Sequence, residues 1–274
     1  MTLKTYLTAG VALSIVGLAK PGLAQTTIAS DNAATYTTST WTTGSTGGTG
    51  FGAWSLNNNG NGGSAGQFVF SSADANGSID SANGNAFGMF ANGAASAEAQ
   101  ALRTFSEGSL TANQTFSIQM LNGDVTDDGG QVGFSLQGSS ADNLFQFYFA
   151  GGSSDYQLNV GGSAIDTGVG FTTGPLTLDF NQGAGDAWSF SISEGSTLEA
   201  EFSSASTGLS LADNDISQLD LVNLNGGSSR TMGDNGNVYF NNMAITTQAV
   251  PEPANAALFA IGGLAMFWAT RRRH

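Results

Sequence analysis

Apolar residues recur at every second position in many short stretches of the chain. Trp54 and Leu56 alternate with polar neighbours, as do Phe68 with Phe70, and Phe116, Ile118 and Met120. The same spacing governs Val132, Phe134 and Leu136; Phe145, Phe147 and Phe149; Leu176, Leu178 and Phe180; and Trp188, Phe190 and Ile192. Successive side chains of an extended strand point to opposite faces, so this period predicts strands with one dry face and one wet face. Spacers rich in Gly, Asn and Ser separate them: Asn57 to Gly66, Gly151 to Asp155, Gly161-Gly162 and Asn225-Gly226-Gly227. Helical signals are scarce. Ala94 to Ala101 accommodates a turn of helix, whereas Glu98 to Ser106 reads equally well as a strand. In the last body strand Val238 and Phe240 share one parity and Met243 and Ile245 the other, which predicts a β-bulge at Asn241-Asn242. Many short strands, no alternation with helices and no internal repeat predict an all-β chain, a two-sheet antiparallel jelly-roll-like sandwich.

The two ends break this pattern. Lys4, the apolar run Leu7 to Ala19 and the small residues at Gly22-Leu23-Ala24 fit a signal peptide for the Sec machinery, residues 1–24, cleaved after Ala24. At the other end, Val250-Pro251-Glu252-Pro253 leads into an apolar run from Ala256 to Ala269 and then Arg271, Arg272, Arg273 and His274. A membrane core of ~30 Å takes ~20 apolar residues, so the span 254–270 is only just long enough for a short transmembrane helix. Trp268 stands where an interfacial aromatic belongs, and the arginines stay cytoplasmic. The two prolines hold Glu252 in an extended linker. Physics alone fits both a permanent single-span anchor and a transient one. Residues 25–249 remain for the sandwich domain and 250–274 for the tail.

The order Pro251-Glu252-Pro253, short apolar helix and terminal arginine cluster resembles the PEP-CTERM sorting signal. That resemblance implies a secreted bacterial protein whose tail is cut near Pro251 to Pro253 by an exosortase. It implies a cell-surface or extracellular location, contact with the membrane only transiently, and a host that makes extracellular polysaccharide. The segment 238–246 resembles the closing strand of lectin-like and carbohydrate-binding-module sandwiches of the concanavalin type. The block Gly47-Gly48-Thr49-Gly50-Phe51-Gly52-Ala53-Trp54 within 42–56 resembles one found in the bodies of PEP-CTERM proteins.

Composition narrows the chemistry. Removing both ends leaves Arg103 and Arg230 as the basic residues of the body, against twenty acidic ones, a formal charge of −18. The single histidine is in the tail, there is no cysteine, and the body has no lysine. A Ser-His-Asp triad, a Cys-His pair and a His- or Cys-based zinc site are therefore excluded in the body. Nucleic acid is excluded as a partner, because almost nothing opposes its phosphates. Strong acidity keeps a chain soluble and also attracts divalent cations.

Several candidate sites follow. Asp124, Asp127 and Asp128 beside Gly129 form an acidic loop. Thr126 and Ser135 occupy positions where an EF-hand needs ligands, so only a looser Ca2+ site of carboxylates and carbonyls is expected there. Asp213 and Asp215 present the same choice. The glycines at 47–52 lack the helix and third glycine of a dinucleotide fingerprint and read as a flexible loop between early strands. Glycoside hydrolysis needs only two carboxylates, and Glu199 with Glu201 share a strand face; a charged, solvent-facing edge is the competing explanation. Trp41, Trp54 and Tyr156 are candidates for stacking on sugars, with the core as their alternative place. The sequence thus predicts a non-enzymatic, surface-sorted protein associated with the exopolysaccharide matrix; a lectin-like module, Ca2+-stabilised, is the alternative and a glycoside hydrolase the third reading. Its expected partners are the exosortase, the Sec machinery and polysaccharide.

Overall fold

Each alternating stretch forms a strand. The computed structural model describes residues 25–75, 78–93, 96–127, 129–213, 215–227 and 236–248, and among them there are fifteen strands. In chain order these are β1 (Gln25–Asp31), β2 (Phe51–Asn59), β3 (Ser64–Phe70), β4 (Ala86–Asn92) and β5 (Glu98–Phe105). Next come β6 (Gln114–Asn122), β7 (Gln131–Gln137), β8 (Asn143–Ala150), β9 (Asp155–Val160) and β10 (Ser163–Gly170). The last are β11 (Leu176–Gln182), β12 (Trp188–Glu194), β13 (Thr197–Ser203), β14 (Gln218–Leu224) and β15 (Val238–Gln248). The compact unit Gln25–Gln248 holds them all. The leader 1–24 and the tail, with Pro251, Glu252, Pro253, Arg271, Arg272 and Arg273, lie outside the described residues. Among the described residues no helix is long and apolar enough to cross a membrane.

The strands build two antiparallel sheets. One runs β13-β12-β11-β6-β15-β4-β3, with β1 added beside β15; the other runs β10-β9-β8-β7-β14-β5-β2. Aromatic side chains from both inner faces interlock between them. Phe145 on β8 meets Phe180 on β11 and Phe190 on β12, both at 4.9 Å between ring centres, and Phe116 meets Phe134 at 6.0 Å. Tilted pairs of this kind contribute roughly 0.5–1.5 kcal/mol each beyond the apolar area they bury. The sequence-predicted sandwich is therefore the observed fold.

Turn chemistry fixes the registers. Gly161 and Gly162 both have positive φ (56° and 84°) and form the two-residue link that pairs Val160 with Ser163, the geometry that favours a right-twisted hairpin. On β15 the register shifts between Asn241 and Ala244, and Asn242 sits at φ 49°, so the expected bulge is present. It turns Val238, Phe240, Met243 and Ile245 all into the core. Asn241 is fully buried at this point. Its side-chain amide donates to the carbonyls of Ile79 (2.7 Å) and Asn85 (3.0 Å), and its oxygen accepts from the Ala33 N–H at 3.0 Å.

Two sequence expectations change. The pair Phe68 and Phe70 does not face the core; Val69 does, 5% exposed, while Phe70 is 65% exposed. The reason lies across the strand pair. Phe68 is opposite Gly88 and its ring covers that bare backbone, packing edge-on against Tyr239 at 5.7 Å. Ile79, Ala86, Leu121 and Tyr239 form a small second cluster there, on the outer face of the eight-stranded sheet. Asp80 holds the segment that covers it, accepting from the Ser72 N–H and from the hydroxyls of Ser71 and Ser72, each at 2.7 Å. The spacer 57–66 also shrinks, because β2 runs on to Asn59 and β3 begins at Ser64.

Candidate functional site

The middle strands of the seven-stranded sheet put one row of side chains inward and the next outward. The inward row is apolar: Ala101, Leu221, Phe134, Phe147 and Leu158 stand side by side across five strands. The adjoining outward row reads Leu102, Asp220, Ser135, Gln146 and Asn159. The next outward row reads Asn57, Gln100, Val222, Gly133, Tyr148 and Gln157. At ~4.8 Å per strand each row spans roughly 20 Å or more. Exposure falls toward the middle of this face. Gln100, Gln146, Tyr148, Gln157 and Asn159 are half-buried, whereas Ser135, Gln137 and Asp220 are buried. The face is a shallow polar trough.

At its centre lies a carboxyl group under unusual conditions. Asp220 is 3% exposed. One carboxyl oxygen accepts from the side-chain amides of Gln137 (3.3 Å) and Gln100 (3.4 Å); the other has no partner among the described protein atoms. Burial pushes its pKa up to about 7, the negative charge of Glu98 adds to the rise, and the Gln137 amide opposes it. Gln137, 6% exposed, also donates to Asn143 at 2.8 Å, and its own amide oxygen is without a partner. Both oxygens are closed to solvent, so Asp220 and Gln137 form the floor of this face, and the half-buried amides around them form its accessible surface. Amide and hydroxyl side chains both donate and accept, the complement of a surface rich in hydroxyl groups.

A second polar surface lies on the eight-stranded sheet. Ser117, Asp179, Asn181, Ser191 and Glu201 line an open groove of about 440 Å³. Asp179 accepts the Ser117 hydroxyl, and Asn181 donates to Thr115 at 3.0 Å. Ser117, Asp179 and Asn181 are thus partnered within the chain.

The remaining sequence candidates fall in different places. Asp124 is half-buried and accepts its neighbour's Val125 N–H at 2.8 Å; Asp127 is exposed in the turn, and Asp128 lies outside the described residues. Among the described residues no three His, Cys, Asp or Glu side chains come together to hold a metal. Asp215 accepts from Ser109 and from the Ser139 backbone and hydroxyl, which lower its pKa, while Asp213 is exposed. Glu199 and Glu201 are both exposed on edge strand β13. Glu199 falls at a register shift, and Glu201 alone of the two lines the groove. Trp41, Trp54 and Tyr156 are not surface residues: they are 2%, 1% and 1% exposed. Trp41 packs edge-on against Trp54 at 5.6 Å, and Tyr156 stacks on Phe147 at 5.0 Å, so the core takes all three.

The glycine block is not a flexible loop either. The Gly47 carbonyl and the Gly52 carbonyl (2.7 Å) both accept from the Arg103 guanidinium, whose third contact is an ion pair with Asp31. The Tyr36 hydroxyl donates to Asp31 at 2.9 Å and accepts the Gly47 N–H at 2.6 Å. A β-carbon on Gly47 would fall 2.3–2.6 Å from the Tyr36 ring and hydroxyl. The block is glycine-rich because it closes over a buried ion pair. Outward amides on β5, β7, β8 and β9 were the sequence signal for the trough, and period-two reading had treated them only as the wet side of the strands.

The sequence matches no protein-family model, and no curated protein matches it. Solved structures resemble it at low identity. A protein of unknown function from Shewanella oneidensis MR-1 is 9% identical, with a TM-score of 0.52, over 89% of this chain and 97% of that one. A carbohydrate esterase of the Shiga toxin-encoding bacteriophage phi24B is 15% identical, with a TM-score of 0.48, over 82% of this chain and 100% of that one. The exoplasmic domain of VIP36, solved with Ca2+ and Man3GlcNAc, is 8% identical, with a TM-score of 0.40, over 74% and 87%. The likeness to the Shewanella protein is one of fold alone.

Proposed function

We propose that this chain is a secreted, non-enzymatic protein that binds extracellular polysaccharide through the trough on its seven-stranded sheet. The observation that supports binding is the run of half-buried amides on this face, Gln100, Gln146, Gln157 and Asn159, beside the Tyr148 ring. Sugar hydroxyls pair with such amides as donors and as acceptors. Delivery rests on the two ends. Residues 1–24 direct export, and the tail 250–274, with Pro251, Glu252, Pro253 and the arginines 271–273, hands the chain to an exosortase at the cell surface. The body that remains is strongly acidic and stays in the matrix that its host makes.

Pull-down of the full chain on insoluble polysaccharide from the host matrix tests the binding step. Retention is expected, and Gln146→Ala with Gln157→Ala, both half-buried, reduces it. No retention of the parent chain overturns the reading. For delivery, replacing Arg271, Arg272 and Arg273 together by Ala is expected to leave an uncut precursor in membrane fractions. Normal release of that variant would remove the sorting role from the arginines.

A further inference from the structure

We infer that the trough selects an uncharged, hydroxyl-rich polysaccharide chain laid across the strands and rejects uronate polymers. This rests on the glycan-binding reading and narrows it to a ligand class. The argument starts from charge. The titratable carboxyls on this face are Asp220 at its centre, Glu98 at its β5 side, Asp155 on β9 and Asp166 on β10 beside Gln157, and Arg103, the basic residue of β5, has its side chain on the inward row. Its guanidinium is fully engaged with Asp31, Gly47 and Gly52 and 1% exposed. A carboxylate-bearing polymer would bring negative charge against a surface that offers no cation from the described residues. Unpaired charge taken out of water is costly, so such a polymer gains nothing to offset that cost.

The hydrogen-bond inventory points the same way. Sugar hydroxyls both donate and accept, as side-chain amides do, whereas carboxylates only accept. Half-buried Gln100, Gln146 and Gln157 supply amide donors and acceptors along both outward rows. Gly133 interrupts the second row between Val222 and Tyr148. A β-carbon there would fall 2.1 Å from the Phe147 carbonyl, so this position stays without a side chain and the trough stays open beside Tyr148. The rows cross five or six strands, which suits an extended polymer more than a single sugar.

Affinity electrophoresis of the full chain separates this inference from the reading beneath it. The gels contain dextran, galactomannan or mixed-linkage β-glucan in one set and alginate or polygalacturonate in the other. Each runs at about 50 mM and about 500 mM salt, the second screening long-range repulsion to within a few ångströms. Retardation by at least one uncharged polymer and by neither uronate at either salt is expected. Gln146→Ala with Gln157→Ala weakens that retardation about five- to tenfold, the loss of one or two hydrogen bonds, and Glu107→Gln on a distant exposed loop leaves it unchanged. Uronate binding as tight as that of the uncharged polymers at high salt overturns the selectivity and spares glycan binding. Retardation by none of the five polymers overturns both.

Discussion

Arg103 and Asp31 form an ion pair whose side chains are 0% and 1% exposed, although β1 and β5 belong to different sheets. The guanidinium also lies over the rings of Phe51 and Trp54, at 5.0 and 4.9 Å from their centres. Burial raises the Asp31 pKa, and the arginine opposes that rise together with hydrogen bonds from Tyr36, Arg103 and the Asn32 N–H. Every donor direction of the arginine used here ends on an oxygen of the chain. The contact ties β1 and the glycine block to the second sheet.

Removing one member of a buried pair leaves the other uncompensated. Arg103→Met is therefore expected to lower stability by about 3–5 kcal/mol, and Arg103→Met with Asp31→Leu to recover much of it. Urea denaturation of the single and double variants measures this. Equal losses in the two would show that the cation matters for its packing rather than for its charge.

Asp220 gives a stability dependence on pH with a definite sign. Its pKa rises from 3.8 to about 7 on folding, so the folded chain holds a proton that the unfolded chain releases in between. Its contribution is fully present below pH 3.8 and is lost as pH rises through about 7. The upper limit of that loss is about 4 kcal/mol. Asp220→Asn keeps the shape and stays neutral, so it is expected to gain stability relative to the parent as pH rises. Urea midpoints for both chains across that range decide the matter, and parallel curves would sink the prediction.

Asn241→Leu removes the partner of three backbone groups at once, the Ala33 N–H and the carbonyls of Ile79 and Asn85. A loss of about 2–4 kcal/mol is expected, since buried backbone groups left unpaired are costly. The segment covering the outer cluster loses its attachment as well. Limited proteolysis should then cut between Ser71 and Asn85 sooner than in the parent; an unchanged cutting pattern would count against this role.

At Asn242, φ is 49°, a conformation open to Gly and Asn and strained for β-branched residues. Asn242→Gly is expected to change stability by only a few tenths of a kcal/mol, and Asn242→Val to cost about 1–2 kcal/mol. Thermal melts of both variants report it. Equal melting temperatures would mean that the bulge relaxes around valine.

Strands whose apolar residues alternate over three positions were legible because the core demands that period: β6, β7, β8, β11 and β12 all follow it. The bulge at Asn241-Asn242 was legible because only a register shift turns Val238 and Met243 inward together. β3 was misread because both its faces carry apolar residues, and the second cluster under Asp80 claims Phe68. β1 was not read as a strand at all, since Gln25-Thr26-Thr27 has no dry face and gains its place from pairing with β15. Asp220 sits between Leu219 and Leu221 and looks like any outward polar residue in sequence. Its burial and its orphaned oxygen depend on Gln100 and Gln137, which come from strands far along the chain.

The position of β15 has a mechanical side. It is hydrogen-bonded to β6 along one edge, and to β4 and then β1 along the other, so it lies within the sheet rather than at its border. It is also the strand that continues toward the C-terminal end. Tension applied there acts along β15 against two flanking ladders loaded in shear, many bonds at once, instead of peeling an edge strand one bond at a time. With Gln25 paired to Gln248, the first strand of the body braces the very end that would be pulled.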